Sequence, residues 1–236
     1  MFHRIFRIGR RNIDFLRRRD SRAIIREFRR AKYLFFIKIH GLDLHSASLE
    51  ELGLSATHSS YYSNSGSPDL EKVLDRQDIT ADDYILDIGC GKGGALLTMA
   101  QYPFKKIDGL DISERLLEIA ESNIRRTKLT NCALFHADAV FFSDYKNYNY
   151  FYMSHPFPCS VMQAVIANII KSIDEFPRPV KIIYNSPACH NIIIDSGRFN
   201  QTEEYVYSDI DTYDSYKVYM NISEARNNIG ILYYSL

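Results

Sequence analysis

The stretch "YILDIGCGKGGALLTMAQ", residues 84–101, concentrates glycine where a strand-like run gives way to a helix-like run. Four of the chain's 11 glycines lie within six positions, at Gly89, Gly91, Gly93 and Gly94. Glycine lets the backbone turn tightly and lets a ligand approach it, and the first N–H groups of a helix have no partner inside the helix. The stretch therefore predicts a ligand-binding turn, although a purely structural tight turn could have the same composition.

Strand-like and helix-like segments alternate on both sides of this turn. Strands are predicted at "YILDI", "KKIDGLD", "CALFHAD", "YNYFYMS" and "VKIIYNS", with helical patterns before, between or after them. "TEEYVYSD" and "DSYKVYMNIS" then alternate with period two and predict a closing antiparallel pair. Repeated β-then-α order is typical of a parallel sheet with helices on both faces. We expect an α/β fold, a doubly wound, mostly parallel sheet of seven strands.

The charge of the chain is unevenly placed. Residues 1–40 hold 13 Lys or Arg against three acidic residues, whereas the whole chain is formally neutral. Apolar residues recur among the arginines at roughly helical spacing, so this segment is predicted to form one or two amphipathic helices. The helices could cover an acidic face of the core, pair with another subunit, or contact a membrane surface or nucleic acid. An anionic partner or self-association is therefore expected here.

A polar connector separates the basic segment from the alternating core. Residues 43–68 are rich in Ser, with Gly, Asn and Pro clustered at the end, which is typical of a loop or lid. We therefore predict an N-terminal helical extension and lid over residues 1–67 and the main domain over residues 68–236.

The four cysteines, Cys90, Cys132, Cys159 and Cys189, stand far apart without Cys-x-x-Cys spacing. This argues against a structural zinc site and against a disulfide framework, so a reducing compartment is expected. The N-terminal residues are interrupted by Arg too often for a signal-peptide core, and no run is long enough to span a bilayer. The sequence therefore predicts a cytoplasmic protein.

Two aspartates restrict the class of ligand that could bind at the glycine turn. Asp111 ends the second predicted strand, twenty residues after Gly91, where a carboxylate can accept hydrogen bonds from both hydroxyls of a ribose. Asp87 adds a carboxylate just before the glycines, which would repel the pyrophosphate of a dinucleotide. The pattern favours a positively charged ligand without phosphates and disfavours a dinucleotide-dependent oxidoreductase.

These segments resemble three cofactor motifs of the class I S-adenosylmethionine-dependent methyltransferases. The motifs are "LDIGCGKGG" (residues 86–94), "GLDIS" (109–113) and "HADA" (136–139), and the resemblance covers about residues 68–222. It implies that S-adenosylmethionine is the cofactor. The implied cofactor-binding residues are Gly89, Gly91 and Gly93 beneath the ligand, Asp87 near its methionine end, Asp111 at the ribose, Asp138 with Ala139 at the adenine, and also Ile112.

Each of these side chains also has a structural reading. Asp111 could be a solvated cap of the following helix, and Asp138 could be a turn residue after its strand. Cys90 and Lys92 are interpreted as loop filler, since the motif does not need their side chains.

The acceptor side is predicted at the end of the fourth strand, where the sequence reads "SHPFP", residues 154–158. Many amino-group methyltransferases carry Asn or Asp followed by Pro-Pro or Pro-Phe here, and this chain has His155 instead. His155 and Ser154 are the catalytic candidates, because an imidazole can accept a proton near neutral pH. A structurally packed His155 is an equal alternative.

Other residues could wall the acceptor pocket. Pro156 and Phe157 follow in the same segment, although Phe157 could instead seal the core. Tyr61 and Tyr62 in the connector could form a lid over the cofactor, with Tyr61 taken as a substrate-binding candidate.

The sequence supports two functions. The first is transfer of a methyl group to N or O of a small molecule, a glycan precursor or a protein side chain. The second is a catalytically inactive binding module whose basic N-terminal helices contact RNA, a membrane or a protein partner, with the altered "SHPFP" segment marking lost catalysis. The intact cofactor motifs favour the enzyme.

Overall fold

The computed structural model describes residues 21–48, 50, 62–206, 215–222 and 232–235. By its internal contacts the chain divides into two compact units, Met1–Leu42 and Asp43–Leu236. The functional division at residue 67 stays a prediction. Within the first unit, one amphipathic helix, α1, runs from Ser21 to His40, as the helical spacing of its apolar residues predicts. None of the described helices is both long and apolar enough to cross a membrane.

The second unit alternates strands and helices. Its elements in chain order are α2 (Pro68–Leu74), β1 (Tyr84–Ile88), α3 (Gly94–Met99), β2 (Lys106–Asp111), α4 (Glu114–Thr127), β3 (Leu134–His136), a 3-10 turn (Asp144–Asn147), β4 (Tyr150–Ser154), α5 (Cys159–Glu175), β5 (Lys181–Asn185), α6 (His190–Asp195), β6 (Phe199–Val206), β7 (Ser215–Asn221) and β8 (Leu232–Ser235).

The strands form one sheet in the order β3-β2-β1-β4-β5-β7-β6-β8. Strands β1 to β5 pair in parallel, and β7 is inserted antiparallel between β5 and β6. The predicted doubly wound, mostly parallel seven-stranded sheet is thereby confirmed. A short eighth strand, β8, pairs in parallel with the outer edge of β6 and was not predicted.

Helices cover both faces of the sheet. Successive side chains of each central strand point to opposite sides, so each strand contributes to two cores. Leu86 and Phe151 belong to a core cluster that contains the buried face of α5. Ile85 and Tyr152, one position away on the same strands, belong to a second cluster with residues of α2, α3 and α4. The carboxyl ends of β1, β2, β4 and β5 therefore meet at one edge of the sheet, where doubly wound folds place their ligands.

Candidate functional site

The loop between β1 and α3 carries left-handed backbone at three glycines. Gly89, Gly91 and Gly93 have φ angles of 82°, 52° and 80°. A Cβ atom on Gly89 would lie 2.4 Å from Cβ of Pro156, and one on Gly91 would lie 2.3 Å from the ring of Tyr62. Only glycine therefore suits these two positions, for its φ and for the close approach of another segment.

Asp111, at the end of β2, is bound to this loop. Its Oδ2 accepts a hydrogen bond from the backbone N–H of Gly91 at 2.8 Å, and its Oδ1 accepts one from Ser113 at 2.8 Å. Burial raises the pKa of Asp111, although the N–H donors of Ser113 and Gly91 act in the opposite direction. The side chain of Ser113, not Asp111, caps α4 by accepting from Leu116.

Each oxygen of this carboxylate has two acceptor sites, so both can still accept from a ligand. Asp111 therefore joins the glycine loop to a potential ribose site.

Asp87, on β1, is the most deeply buried acid of the site. It is 1% exposed, and its Oδ2 has no hydrogen-bond partner among the described residues. Burial, and secondarily the charge of Asp111, raise the pKa of Asp87 well above its usual range. A buried carboxyl without a partner is costly unless a donor or a cation reaches it. A ligand that brings a hydrogen-bond donor or a positive group to Asp87 would satisfy this oxygen.

The turn after β3 contains Asp138 and Ala139. Asp138 Oδ1 accepts a hydrogen bond from the N–H of Val140 at 2.8 Å, so the carboxylate shapes the turn. Ala139 is buried, and its carbonyl accepts from Tyr145 at 2.7 Å. Ile112, at the neighbouring end of β2, is 37% exposed between two buried residues. These three residues stand on adjacent strand ends of one sheet edge.

The segment after β4 lies against the glycine loop, since Pro156 is the residue that a Cβ on Gly89 would meet. Ser154 Oγ accepts a hydrogen bond from Asn185 at the end of β5, at 2.9 Å. His155 has a φ of 44°, and its buried Nδ1 has no hydrogen-bond partner among the described residues. The segment that carries the two candidate catalytic residues thus lies beside the glycine loop.

Phe157 is 5% exposed and belongs to the core cluster on the α5 face of the sheet. That position is the one expected if the ring seals the core. Pro156 is half-buried and contacts Gly89. The substrate-binding role predicted for Phe157 and Pro156 stays a prediction.

A disulfide joins Cys159, at the start of α5, to Cys189, just before α6. The prediction that the cysteines form no disulfide is therefore wrong. The two residues are 30 positions apart and meet only because β4 and β5 are neighbours in the sheet. The expected absence of disulfides therefore no longer supports a reducing compartment. The other two cysteines, Cys90 and Cys132, are free.

The connector packs directly on the glycine loop. Lys92 is 7% exposed in its side chain, and its Nζ forms an ion pair with Asp43 at 2.9 Å. Burial acts to raise the pKa of Asp43, but hydrogen bonds from Lys92 and the N–H of His45 outweigh it and lower that pKa. Asn123 adds hydrogen bonds to the backbone N–H and carbonyl of Asp43. Lys92 therefore anchors the connector. The interpretation of Lys92 as loop filler is wrong.

Cys90 is not filler either. It is 5% exposed, and a Cβ on Gly109 of β2 would meet its Sγ at 2.7 Å. Its thiol fills the space that Gly109 leaves, so the pair fixes how the loop packs on β2.

Tyr62 is the connector tyrosine that contacts the site. Its ring lies against Gly91, and Lys92 Nζ stands 5.6 Å from the centre of that ring. Tyr61, the candidate chosen from the sequence, lies outside the described residues. The adjacent pair gives no pattern that tells which ring faces the loop, so sequence reasoning could not choose between them.

Comparisons with known proteins agree with this geometry. Residues 85–175 match the family model described as "Methyltransferase domain". A protein of Methanococcus maripaludis named "Probable cobalt-precorrin-6B C(15)-methyltransferase (decarboxylating)" is 33% identical over 66 residues, which are 28% of this chain and 36% of that protein. The chain thus matches about a third of the length of this curated relative.

Solved structures share the fold. An rRNA methylase from Streptococcus thermophilus superposes with a TM-score of 0.50 at 13% identity, over 66% of this chain and 93% of that one. A Streptococcus mutans protein solved in complex with S-adenosylhomocysteine superposes with a TM-score of 0.51 at 10% identity, over 65% and 94% of the two chains. The solved structures confirm the predicted fold, and the family model agrees with the predicted methyltransferase resemblance over residues 85–175.

Proposed function

We propose that this chain, whose residues 85–175 match a methyltransferase domain, is a class I S-adenosylmethionine-dependent enzyme that transfers a methyl group to a nitrogen or oxygen atom of its acceptor. The acceptor classes that we consider are a small molecule, a glycan precursor and a protein side chain. The domain, its fold and its cofactor class are the premise, whereas the acceptor and the roles of individual residues belong to the proposal.

The buried carboxyl of Asp87 is the observation that carries the proposal. Its Oδ2 has no hydrogen-bond partner among the described residues, and burial raises its pKa. A cationic amino group at this oxygen would supply the missing donor and an opposite charge, which stabilises a buried carboxylate. A pyrophosphate would do the reverse. Among nucleoside cofactors this favours S-adenosylmethionine over a dinucleotide.

The remaining cofactor contacts would come from three strand ends. Bound S-adenosylmethionine supplies an electrophilic methyl group on a sulfonium that carries its own leaving group. Asp111 would accept hydrogen bonds from the ribose hydroxyls while it keeps its bonds to Gly91 and Ser113. Ile112 offers exposed apolar surface for the adenine, and the turn at Asp138 and Ala139 would receive the adenine edge.

The acceptor would be oriented by the segment after β4. Ser154 Oγ accepts from Asn185 and can still donate its own hydrogen, while His155 Nδ1 lacks a partner among the described residues. His155 would accept the proton that an acceptor N–H or O–H loses as its lone pair takes the methyl group, or would only hold the acceptor in line. Pro156, Phe157 and Tyr61 are proposed to exclude water around it.

Calorimetric titration with S-adenosylmethionine tests the proposal. Asp111→Ala removes hydrogen bonds to a charged acceptor, each worth about 1.5–3 kcal/mol and not additive, so affinity should fall by at least about tenfold. Asp82→Ala is the matched control, because Asp82 is exposed outside the site and should bind like the parent. No binding by the parent chain, or equal binding by Asp111→Ala, would refute the proposal.

His155→Asn separates the two roles of the imidazole. General-base catalysis typically contributes about 10²–10⁴-fold, so a loss of that size with unchanged cofactor affinity would identify His155 as a base. Retained turnover on an amine would identify it as a positioning residue. Cofactor binding without turnover on any acceptor class would instead support the inactive binding module.

The partner and the compartment are less constrained. The predicted contact of residues 1–40 with an anionic partner or a second subunit stays part of the proposal. Cytoplasmic localisation likewise stays a prediction.

A further inference from the structure

Helix α1 presents large apolar side chains to solvent, most of them along one line; Ile25 and Leu34, 54% and 55% exposed, lie outside it. Ile24, Phe28, Phe35 and Ile39 are 43%, 72%, 64% and 58% exposed. Their spacing of four, seven and four residues, with Ala31 inside the longer gap, places them on one face of a helix. We call these four residues the apolar stripe. It extends over about 22 Å, given a rise of about 1.5 Å per residue.

The same helix is strongly basic. Residues 21–40 contain six Lys or Arg against one acidic residue, Glu27, which gives a net charge of +5. Lys32 and Lys38 are exposed and lie on the two sides of the apolar stripe. Helices that lie in the surface of a membrane combine an apolar face with Lys and Arg at its borders.

We propose that the apolar stripe of α1 docks on an anionic lipid surface, with the helix lying in the plane of the membrane. The stripe would enter the boundary between headgroups and acyl chains, while Lys32 and Lys38 at its borders contact lipid phosphates. Attachment of this kind needs no spanning segment, and none of the described helices could serve as one. The inference goes beyond the proposed function and does not depend on it.

Two other partners fit these observations less well. Single-stranded nucleic acid stacks on aromatic rings, but the aliphatic Ile24 and Ile39 have no ring face and would stay in water. A second copy could cover the stripe, but pairing two such helices brings two charges of +5 together, which is repulsive. An anionic membrane satisfies both the apolar and the basic surface.

Vesicle co-sedimentation of the full chain tests the proposal. We expect binding to phosphatidylglycerol-containing vesicles and at least tenfold weaker binding to pure phosphatidylcholine, since each cation near an anionic surface contributes about fivefold. Binding should weaken as salt rises from 0.1 to 0.5 M, because salt screens surface charge. Equal binding to both vesicle types would overturn the anionic part of the proposal.

Paired variants separate this surface from general stickiness. Phe28→Ser with Phe35→Ser should lower vesicle binding at least tenfold, with helix content checked by circular dichroism. Phe141→Ser with Phe176→Ser is the matched control, because these rings are 82% and 49% exposed on the other unit. The control should bind vesicles like the parent. Equal losses in both double variants would overturn the assignment to α1.

Charge variants test the second half of the surface. Lys32→Gln with Lys38→Gln should weaken binding to anionic vesicles about tenfold or more and leave binding to neutral vesicles unchanged. Tighter binding to RNA than to vesicles, unaffected by Phe28→Ser with Phe35→Ser, would refute the membrane proposal in favour of nucleic acid. A dimer that this double variant dissociates, without vesicle binding, would refute it in favour of self-association.

Cofactor affinity keeps this inference distinct from the proposed function. The Phe28→Ser, Phe35→Ser variant should bind S-adenosylmethionine like the parent. Lost vesicle binding with intact cofactor binding concerns the surface alone, whereas a parent that binds vesicles but no cofactor contradicts only the methyltransferase proposal.

Discussion

The chain turns sharply at three strand ends on one edge of the sheet, and the turn after β1 uses different residues from the turns after β4 and β5. After β1 the left-handed positions are occupied by Gly89, Gly91 and Gly93. After β4 and β5 they are occupied by His155 and Ser186, with φ angles of 44° and 49°. A residue with a Cβ atom loses roughly 1–2 kcal/mol in this conformation, whereas glycine does not.

The turns after β4 and β5 are held by contacts between their two segments. Each strained residue is followed by a proline, Asn185 donates a hydrogen bond to Ser154, and the disulfide joins the two segments just beyond. Strained backbone persists where the surroundings determine it and is common at functional sites. The glycine turn is thus specified locally, while the acceptor-side corner depends on neighbours that are distant in sequence.

Gly89→Ala should have the largest effect on stability, because Gly89 lies where the turn after β1 contacts the turn after β4. The new Cβ would meet Pro156 and would occupy a left-handed position, so overpacking of about 1–3 kcal/mol adds to the backbone strain of roughly 1–2 kcal/mol. Urea denaturation measures the sum. Gly197→Ala is the control, since Gly197 has a φ of 65° and open space around it. Equal destabilisation in both variants would show that the turns do not press on each other.

Removal of the disulfide tests what holds the second corner. Cys159→Ser with Cys189→Ser should lower the free energy of unfolding by about 2–4 kcal/mol, as expected for a cross-link that closes a loop of this size. Cys132→Ser is the matched control, because Cys132 is free. Titration of four free thiols in the native, unreduced protein would contradict the pairing.

Substitutions at His155 should have the smallest effect on stability. They test whether the turn after β4 holds a residue other than glycine in left-handed backbone. Asn tolerates left-handed backbone better than most residues, whereas a β-branched residue does not. The free energy of unfolding of His155→Asn should therefore lie within about 1 kcal/mol of that of the parent. His155→Val should be less stable than His155→Asn by roughly 1–2 kcal/mol. Equal stability of the two variants would mean that the backbone at this position is not held in the left-handed region.

The same contrast explains what the sequence could predict. The glycine turn and Asp111 were recognised because their spacing is local and because strand, loop and helix follow one another directly. The pair of β6 and β7 was predicted from its alternation, although "IDTYD", residues 210–214, lies outside the described residues. Strand β8 was missed because four residues at a sheet edge are too few to show a pattern.

Contacts between distant segments were not predictable from spacing. The cysteines of the disulfide are separated by 30 residues, and Lys92 and Asp43 by 49. In both cases the partners come together only after the chain has folded, so neither residue carries a local signal. The left-handed φ of His155 was hidden for the same reason, since nothing in "SHPFP" demands it.

Asp87 gives the central claim a distinct pH dependence. Because its pKa is raised in the folded protein, the stability of the free protein should fall as pH rises from the ordinary aspartate pKa to the raised value. A cation at Asp87 favours the charged form, so cofactor binding should release a proton where the free carboxyl is protonated. Affinity should therefore fall as pH is lowered through that range.

Calorimetric titration with S-adenosylmethionine in buffers of different ionisation enthalpy, between pH 5 and 8, measures this proton directly. The parent should release up to about one proton per cofactor bound, and Asp87→Asn, which keeps the shape of the side chain, should release less and bind more weakly. Asp82→Asn, at an exposed carboxylate of the same unit, should behave like the parent. Equal affinity and equal proton release in the parent and in Asp87→Asn would contradict the claim that Asp87 receives the cationic cofactor.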